Sequence, residues 1–311
     1  MKIAVMGAGG VGGYFGARLA AAGNDVSFVA RGAHLEAMRE RGLGVLSPRG
    51  DARVHPVVAT DDPSTIGAVD VVLFATKLYD TEPAAELCRA LVGADTVVVS
   101  LQNGVDGIDT LRRVLGERHV AGGVARISAA IAEPGVIGHY SGFAAIAFGE
   151  LDGRRSERLA RFHALAVAAG IDAELATDIQ VTMWEKFILL AAFSAITSLA
   201  RLPIGPVLGE PRSRALLEEA VAEVTAVARG SGIGVPADAT QTAMGFMARM
   251  PPSMKSSMLM DLERGRRLEL DWLSGAVCRR GAELGVPTPV HRFALAALAP
   301  YAHGSPAVPD A

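Results

Sequence analysis

The sequence predicts an α/β fold in two parts: a doubly wound, mostly parallel sheet over residues 1–176, then an all-helical domain over 177–311. Three observations point there. Strand-like apolar runs alternate with helical periodicity as far as residue 175, the pattern of a doubly wound sheet. A glycine-rich turn joins the first strand to the first helix. Beyond residue 176 the β signal fades, and helical periodicity broken by Pro and Gly takes over. A chain of 311 residues also exceeds one hydrophobic core, so two domains are the natural division.

Residues 2–6 read as a short apolar strand, 10–22 as an Ala-rich helix and 25–29 as a second β-rich run, which together make one βαβ unit. A helix over 33–41 and an irregular or hairpin region lead to 69–75, a near-continuous apolar strand of the kind buried on both faces of a parallel sheet. A helix (83–91), a strand (96–100), a helix (108–115) and several short β runs within 119–149 continue the alternation. A helix over 154–169 packs on the sheet and a strand over 171–175 closes it, which places the boundary near Ala176. The remainder divides into helical segments at 178–200, 213–230, 237–249, 261–285 and 290–301. Thr177 with Gln180 three residues later reads as a capping box opening the first of these. The Pro-rich tail from His303 is expected to be disordered.

The net charge is -3, and no window gathers enough Lys and Arg to track a phosphate backbone, so nucleic acid is not an expected partner. Cys88 and Cys278 lack CxxC spacing and read as small buried apolar residues. The histidines are scattered without ligand spacing, so no metal site is expected. The apolar N-terminus carries regularly spaced glycines, unlike a signal peptide. The apolar run 187–200 is closed by Lys186 and Arg201 and is too short to span a bilayer, so no membrane association is expected and the location is read as cytoplasmic.

Gly7-Ala8-Gly9-Gly10-Val11-Gly12 matches G-x-G-x-x-G between the first strand and the first helix, the context in which the pattern marks a dinucleotide-binding Rossmann domain. The first glycine permits a tight turn, the second lets the backbone approach a pyrophosphate, and the third lets helix and strand pack closely. The anion then sits on the helix N-terminus. The plainer reading is an Ala/Gly-rich helix start that binds nothing. The second strand ends Phe28-Val29-Ala30-Arg31, with no carboxylate for a ribose 2′-hydroxyl. Arg31 offers a planar fork of donors to a 2′-phosphate, so the expected cofactor is NADP rather than NAD. His34 either assists or is an exposed helix residue.

Ligands of doubly wound sheets lie beyond the carboxyl ends of the strands, where Thr76-Lys77 and Gln102-Asn103-Gly104 fall. Each also reads as a solvated loop, with Asn-Gly as a turn signal. Further on, Lys186 stands among apolar neighbours in Trp184-Glu185-Lys186-Phe187. Desolvation lowers a lysine's pKa and would let it give a proton to a carbonyl oxygen. Equally, the lysine snorkels from a helix edge.

Taken together, Gly7 to Gly12, Arg31, Thr76-Lys77, Gln102-Asn103-Gly104, Trp184-Glu185-Lys186, and Ser256-Ser257-Met258 through Asp261 to Glu269 resemble the ketopantoate reductase (2-dehydropantoate 2-reductase) family over nearly the full chain. The resemblance implies a Rossmann domain joined to a helical domain like the C-terminal domain of 6-phosphogluconate dehydrogenase. It implies that NADPH gives hydride to the ketone carbon of a 2-oxo acid, a step in pantothenate biosynthesis when the acid is ketopantoate. Lys186 matches the general acid, Glu269 the acid that positions the lysine or the substrate, and Ser257 a contact to the substrate carboxylate. Lys77 and Asn103 match residues lining the nicotinamide and substrate end of the site. Typical members carry asparagines one and two turns after the lysine, where this chain has Leu190 and Ser194, and another where Met254 stands. Ser194 is retained as a substrate contact at the second position. An apolar replacement favours a substrate lacking the hydroxyl, so a more apolar 2-oxo acid stands beside ketopantoate. The same two-part plan also suits a β-hydroxyacid dehydrogenase, or a module that binds NADPH without catalysis. A homodimer through the helical domain is compatible with the sequence.

Overall fold

The computed structural model describes residues 1–306. Much of the tail expected to be disordered lies outside them. By contact the chain divides into two units, Met1–Asn103 with Gly107–Thr182, and Gly104–Asp106 with the chain from Met183 onward. The division falls inside a helix rather than at Ala176. The expected α/β domain followed by a helical domain is what the chain forms.

In the first unit β1 (Lys2–Met6), α1 (Gly10–Ala21) and β2 (Asp25–Val29) form the βαβ start. Next come α2 (Gly32–Arg41), an antiparallel hairpin of β3 (Leu43–Leu46) and β4 (Ala52–Val54), and β5 (Val58–Thr60). β6 (Val69–Phe74), α3 (Thr81–Cys88), β7 (Val92–Ser100) and α4 (Gly107–Leu115) resume the alternation. β8 (Val120–Glu133), β9 (Val136–Glu150), α5 (Glu157–Ala168) and β10 (Asp172–Leu175) end it. Along the sheet the strands β5-β2-β1-β6-β7-β8 are mutually parallel. That is the dinucleotide-fold order, which reverses direction between β1 and β6 and opens a crevice there. β9 then runs antiparallel to β8 and carries β3 and β10 on its outer edge, which makes the sheet mixed. Ile3, Val5, Phe15, Phe28, Leu73 and Val99 are among the core residues that fasten the sheet to its helices.

The several short β runs expected within 119–149 are in fact one long hairpin, turning at Pro134 and Gly135. Pairing along its length overrides the small residues, such as Gly122, Gly123 and Gly138, that break the strand pattern in sequence.

The helix α6 (Ile179–Ala200) begins in the first unit and continues into the second. Thr177 is not its cap. Asp178 Oδ1 accepts the Val181 N–H at 3.0 Å, the geometry of an N-cap carboxylate, while the Gln180 amide donates to the Leu151 carbonyl at 2.8 Å instead of closing a box. At 22 residues α6 is long and apolar enough to cross a membrane, contrary to the shorter run read from sequence. Its apolar character has another cause: Trp184, Phe187, Ile188, Ala191, Ala192, Phe193 and Ile196 build the core of the second unit.

The second unit continues with α7 (Ile204–Gly209), which the sequence does not announce, α8 (Pro211–Gly230) and α9 (Ala239–Ala248). The expected helix over 261–285 is two helices, α10 (Ser257–Glu263) and α11 (Ser274–Leu284). Gly265 between them has φ +61°, a left-handed conformation that ends the first. Helix α12 (Pro289–Leu298) follows. Cys88 is buried and its thiol is pushed up to about 12, an inert side chain, whereas Cys278 is only half-buried.

Candidate active site

The glycine turn of the first unit divides its labour by position. Gly7 holds φ +97°, closed to side chains. A Cβ on Gly12 would collide with the Gly7 carbonyl oxygen and lie 2.8 Å from Val5 Cγ1, so only glycine lets α1 lie this close to β1. A Cβ on Gly9 would meet nothing within 4 Å, so that face of the turn is open. No side chain among the described residues caps α1, and its first turn carries no acid. The positive end of the helix and its unpaired N–H groups are left for an anion. These residues fit a pyrophosphate.

Two further contacts hold the turn. The Gly7 and Ala8 N–H groups donate to the Val29 carbonyl at 3.2 and 3.1 Å, tying it to the end of β2. His34 is buried, and neither exposed nor placed as a phosphate ligand. Its Nε2–H donates to the Ala8 carbonyl at 2.9 Å, and its Nδ1 accepts the Gly135 N–H at 3.0 Å. One partner can only accept and the other can only donate, so the ring is neutral, and burial holds its pKa below the ordinary histidine value. The imidazole braces the glycine turn against the tip of the β8–β9 hairpin.

Arg31 follows β2 at the N-cap position of α2, and its side chain is 83% exposed. Its guanidinium pairs with Asp80 at 2.5 Å. Lys77 and Asn103 are half-buried in the loops after β6 and β7. Gln102 joins those loops: its amide donates to the Thr76 carbonyl at 3.1 Å and to Thr81 Oγ1 at 2.8 Å. The sequence marks Gln102 only as part of a motif; it is the buried crosslink that fixes where Lys77 and Asn103 leave their strands.

In the second unit Lys186 lies on α6 and is half-buried rather than sunk in the core. Its neighbours Trp184 and Phe187 are buried and meet edge to face at 5.5 Å. The Arg280 guanidinium lies 5.7 Å from the Trp184 ring centre. Asp106 holds Arg280 at 2.7 Å and Arg279 at 2.8 Å, while Val105 is buried in the helical core. Three residues from the middle of the first unit's sequence thereby belong to the second, which nothing in the sequence signals. Ser257 opens α10, half-buried, beside Ser256, whose Oγ accepts the Leu259 N–H at 3.1 Å and meets Thr197 Oγ1 at 2.9 Å. Glu269 is 5% exposed and precedes a short 3-10 turn, Leu270–Trp272. Ser194, on the same helix as Lys186, is buried more deeply than either Lys186 or Ser257. It is 0% exposed, and its hydroxyl has no hydrogen-bond partner among the described residues.

Residues 3–153 match the family model described as Ketopantoate reductase PanE/ApbA, and 178–302 the model of its C-terminal part. The chain belongs to the ketopantoate reductase family. A 2-dehydropantoate 2-reductase of Mesorhizobium japonicum is 34% identical over 93% of this chain and 94% of its own length. An uncharacterized oxidoreductase of Bacillus subtilis, YkpB, is 34% identical over 93% and 95%. A crystal structure of a family ketopantoate reductase from Ralstonia eutropha superposes with TM-score 0.89 at 34% identity, covering 97% of this chain and 98% of that one. Membership and the dinucleotide strand order together imply a nicotinamide cofactor.

Proposed function

We propose that this chain reduces 2-dehydropantoate to pantoate with NADPH, in the cytoplasm. The match over both halves of the chain to proteins named for that reaction carries the reading. In it, bound NADPH supplies a hydride to the ketone carbon. The Gly9 backbone and the start of α1 would hold the pyrophosphate, and Arg31 would take the 2′-phosphate as a charge-assisted pair. Lys77 and Asn103 hold the nicotinamide and substrate end. The Lys186 ammonium gives its proton to the carbonyl oxygen and stabilises the negative charge developing there. Glu269 keeps that lysine charged and oriented, and the Ser257 hydroxyl holds the substrate carboxylate.

A second reading, a more apolar 2-oxo acid, is favoured by one stretch of α6. Leu190, one turn beyond Lys186, packs against the helical core, and the hydroxyl of Ser194 is sealed from solvent. Neither offers a donor to a substrate hydroxyl, and a pocket lacking such donors discriminates weakly in favour of the hydroxylated acid. Assaying a panel of 2-oxo acids against NADPH separates the two: a preference for 2-dehydropantoate supports the first reading, a preference for unhydroxylated acids the second, and no NADPH oxidation with any of them leaves only a binding module. In the same assay Lys186→Ala is expected to lower turnover by about 100-fold or more while NADPH affinity stays nearly constant. Wild-type turnover in that variant would remove Lys186 from the reaction.

A further inference from the structure

Arg31 is not a solitary cation. Its guanidinium meets the Asp80 carboxylate at 2.5 Å, with the arginine side chain 83% and the aspartate side chain 26% exposed. The partners come from different strand ends. Arg31 follows β2, and Asp80 closes the 3-10 turn Leu78–Asp80 that follows β6. In the sheet those strands flank β1, so the pair reaches over the end of the strand that leads into the glycine turn.

The end of β2 carries no acid of its own, but this pairing delivers one from 49 residues away. A 2′-phosphate carries more than one negative charge. On reaching Arg31 it must displace Asp80 from the guanidinium or share the fork with it, and both arrangements set phosphate against carboxylate. A ribose bearing a 2′-hydroxyl meets no such repulsion. It can donate a hydrogen bond to the carboxylate, which is what an acid near the end of the second strand does for NAD.

We propose that Asp80 is a specificity-determining residue that narrows the preference for NADPH over NADH by occupying Arg31 and presenting a carboxylate to the 2′-position. The proposal rests on Arg31 being the 2′-phosphate ligand. Asp80→Asn keeps the size of the side chain and removes its charge, so NADPH should bind more tightly while NADH binds equally or less well. The pair is largely solvated, which limits the expected change in the ratio of the two dissociation constants to about 2- to 5-fold in favour of NADPH. Because the cause is charge, the change should shrink when salt is raised from about 0.05 M to about 0.5 M.

The test is calorimetric titration of NADPH and NADH into the wild-type chain, Asp80→Asn, Asp80→Ser and Arg31→Ala, which requires no knowledge of the substrate. A shift toward NADPH in both Asp80 variants, reduced at high salt, supports the proposal. An unchanged ratio overturns it. So does a shift toward NADH, which would mean that Asp80 instead holds Arg31 in its phosphate-binding pose. Arg31→Ala separates the two levels of argument. If it weakens NADPH alone while the Asp80 variants leave the ratio fixed, only the role of Asp80 falls. If it leaves both dinucleotides unaffected, Arg31 is not the phosphate ligand and the role of Asp80 falls with it.

Discussion

His291 on α12 is fully buried; its Nε2–H donates to the Ala220 carbonyl at 3.2 Å and its Nδ1 meets Ser274 Oγ at 3.2 Å. Burial pushes its pKa from 6.5 down to about 4. The unfolded chain therefore takes up a proton near pH 6.5 that the folded chain refuses until about pH 4. The stability this side chain contributes is complete above the first value and is lost as pH falls toward the second, a difference of about 3 kcal/mol. Glu223, whose carboxylate accepts the Val290 and His291 N–H groups, acts with the opposite sign, because burial raises its pKa and folding then favours its protonated form. Comparing wild type with His291→Gln isolates the histidine. In urea unfolding from pH 7 to pH 4, wild type should lose stability relative to the variant, and a pH-independent difference would contradict the account. Nothing in the sequence announces the buried roles of His291 and His34, since a histidine's role depends on which carbonyls and amides surround it. Asp178 is legible in principle: it stands one residue from the expected cap Thr177 and has the stronger cap chemistry.

Among the elements, α1 and the strands around it are legible in the sequence, because glycine spacing and unbroken apolar runs are local signals. The β8–β9 hairpin reads as fragments, since its glycines weaken the pattern that pairing restores. The segment 261–285 reads as one helix, since Gly265 interrupts a periodicity that otherwise continues. The closeness of α1 to β1 makes a sharp prediction. Gly12→Ala would drive a methyl into the Gly7 carbonyl oxygen, so the helix must shift from the strand. Overpacking of this kind costs about 1–3 kcal/mol. Chemical denaturation should register that loss, and NADPH affinity should fall at least about 10-fold as the helix start moves from the pyrophosphate. Wild-type affinity in a folded Gly12→Ala chain would show that α1 does not set the phosphate position.

For the whole molecule, the two-part plan and its family are visible in the order of motifs, while the way the parts share the chain is not. The contacts from Asp106 to Arg279 and Arg280 span 173 and 174 residues. A single sequence carries no trace of pairs so distant. Asp106→Ala should leave both guanidinium groups without that carboxylate and release the short segment they hold. We expect a loss of about 1 kcal/mol, given the partial exposure of the three side chains, and faster proteolytic cleavage near residues 103–107. Cleavage at the wild-type rate would show that Val105 alone anchors the segment.

The excursion of residues 104–106 also bears on how such chains can be taken apart or recombined. A gene fragment ending at Thr182 would still encode Val105 but not the helices that bury it, leaving an apolar side chain and a carboxylate at a torn surface. The complementary fragment would lack the plug its own interior was built around. Neither piece is a complete module, so exchanging halves with a relative by a single splice would require re-matching this three-residue insertion to its new socket.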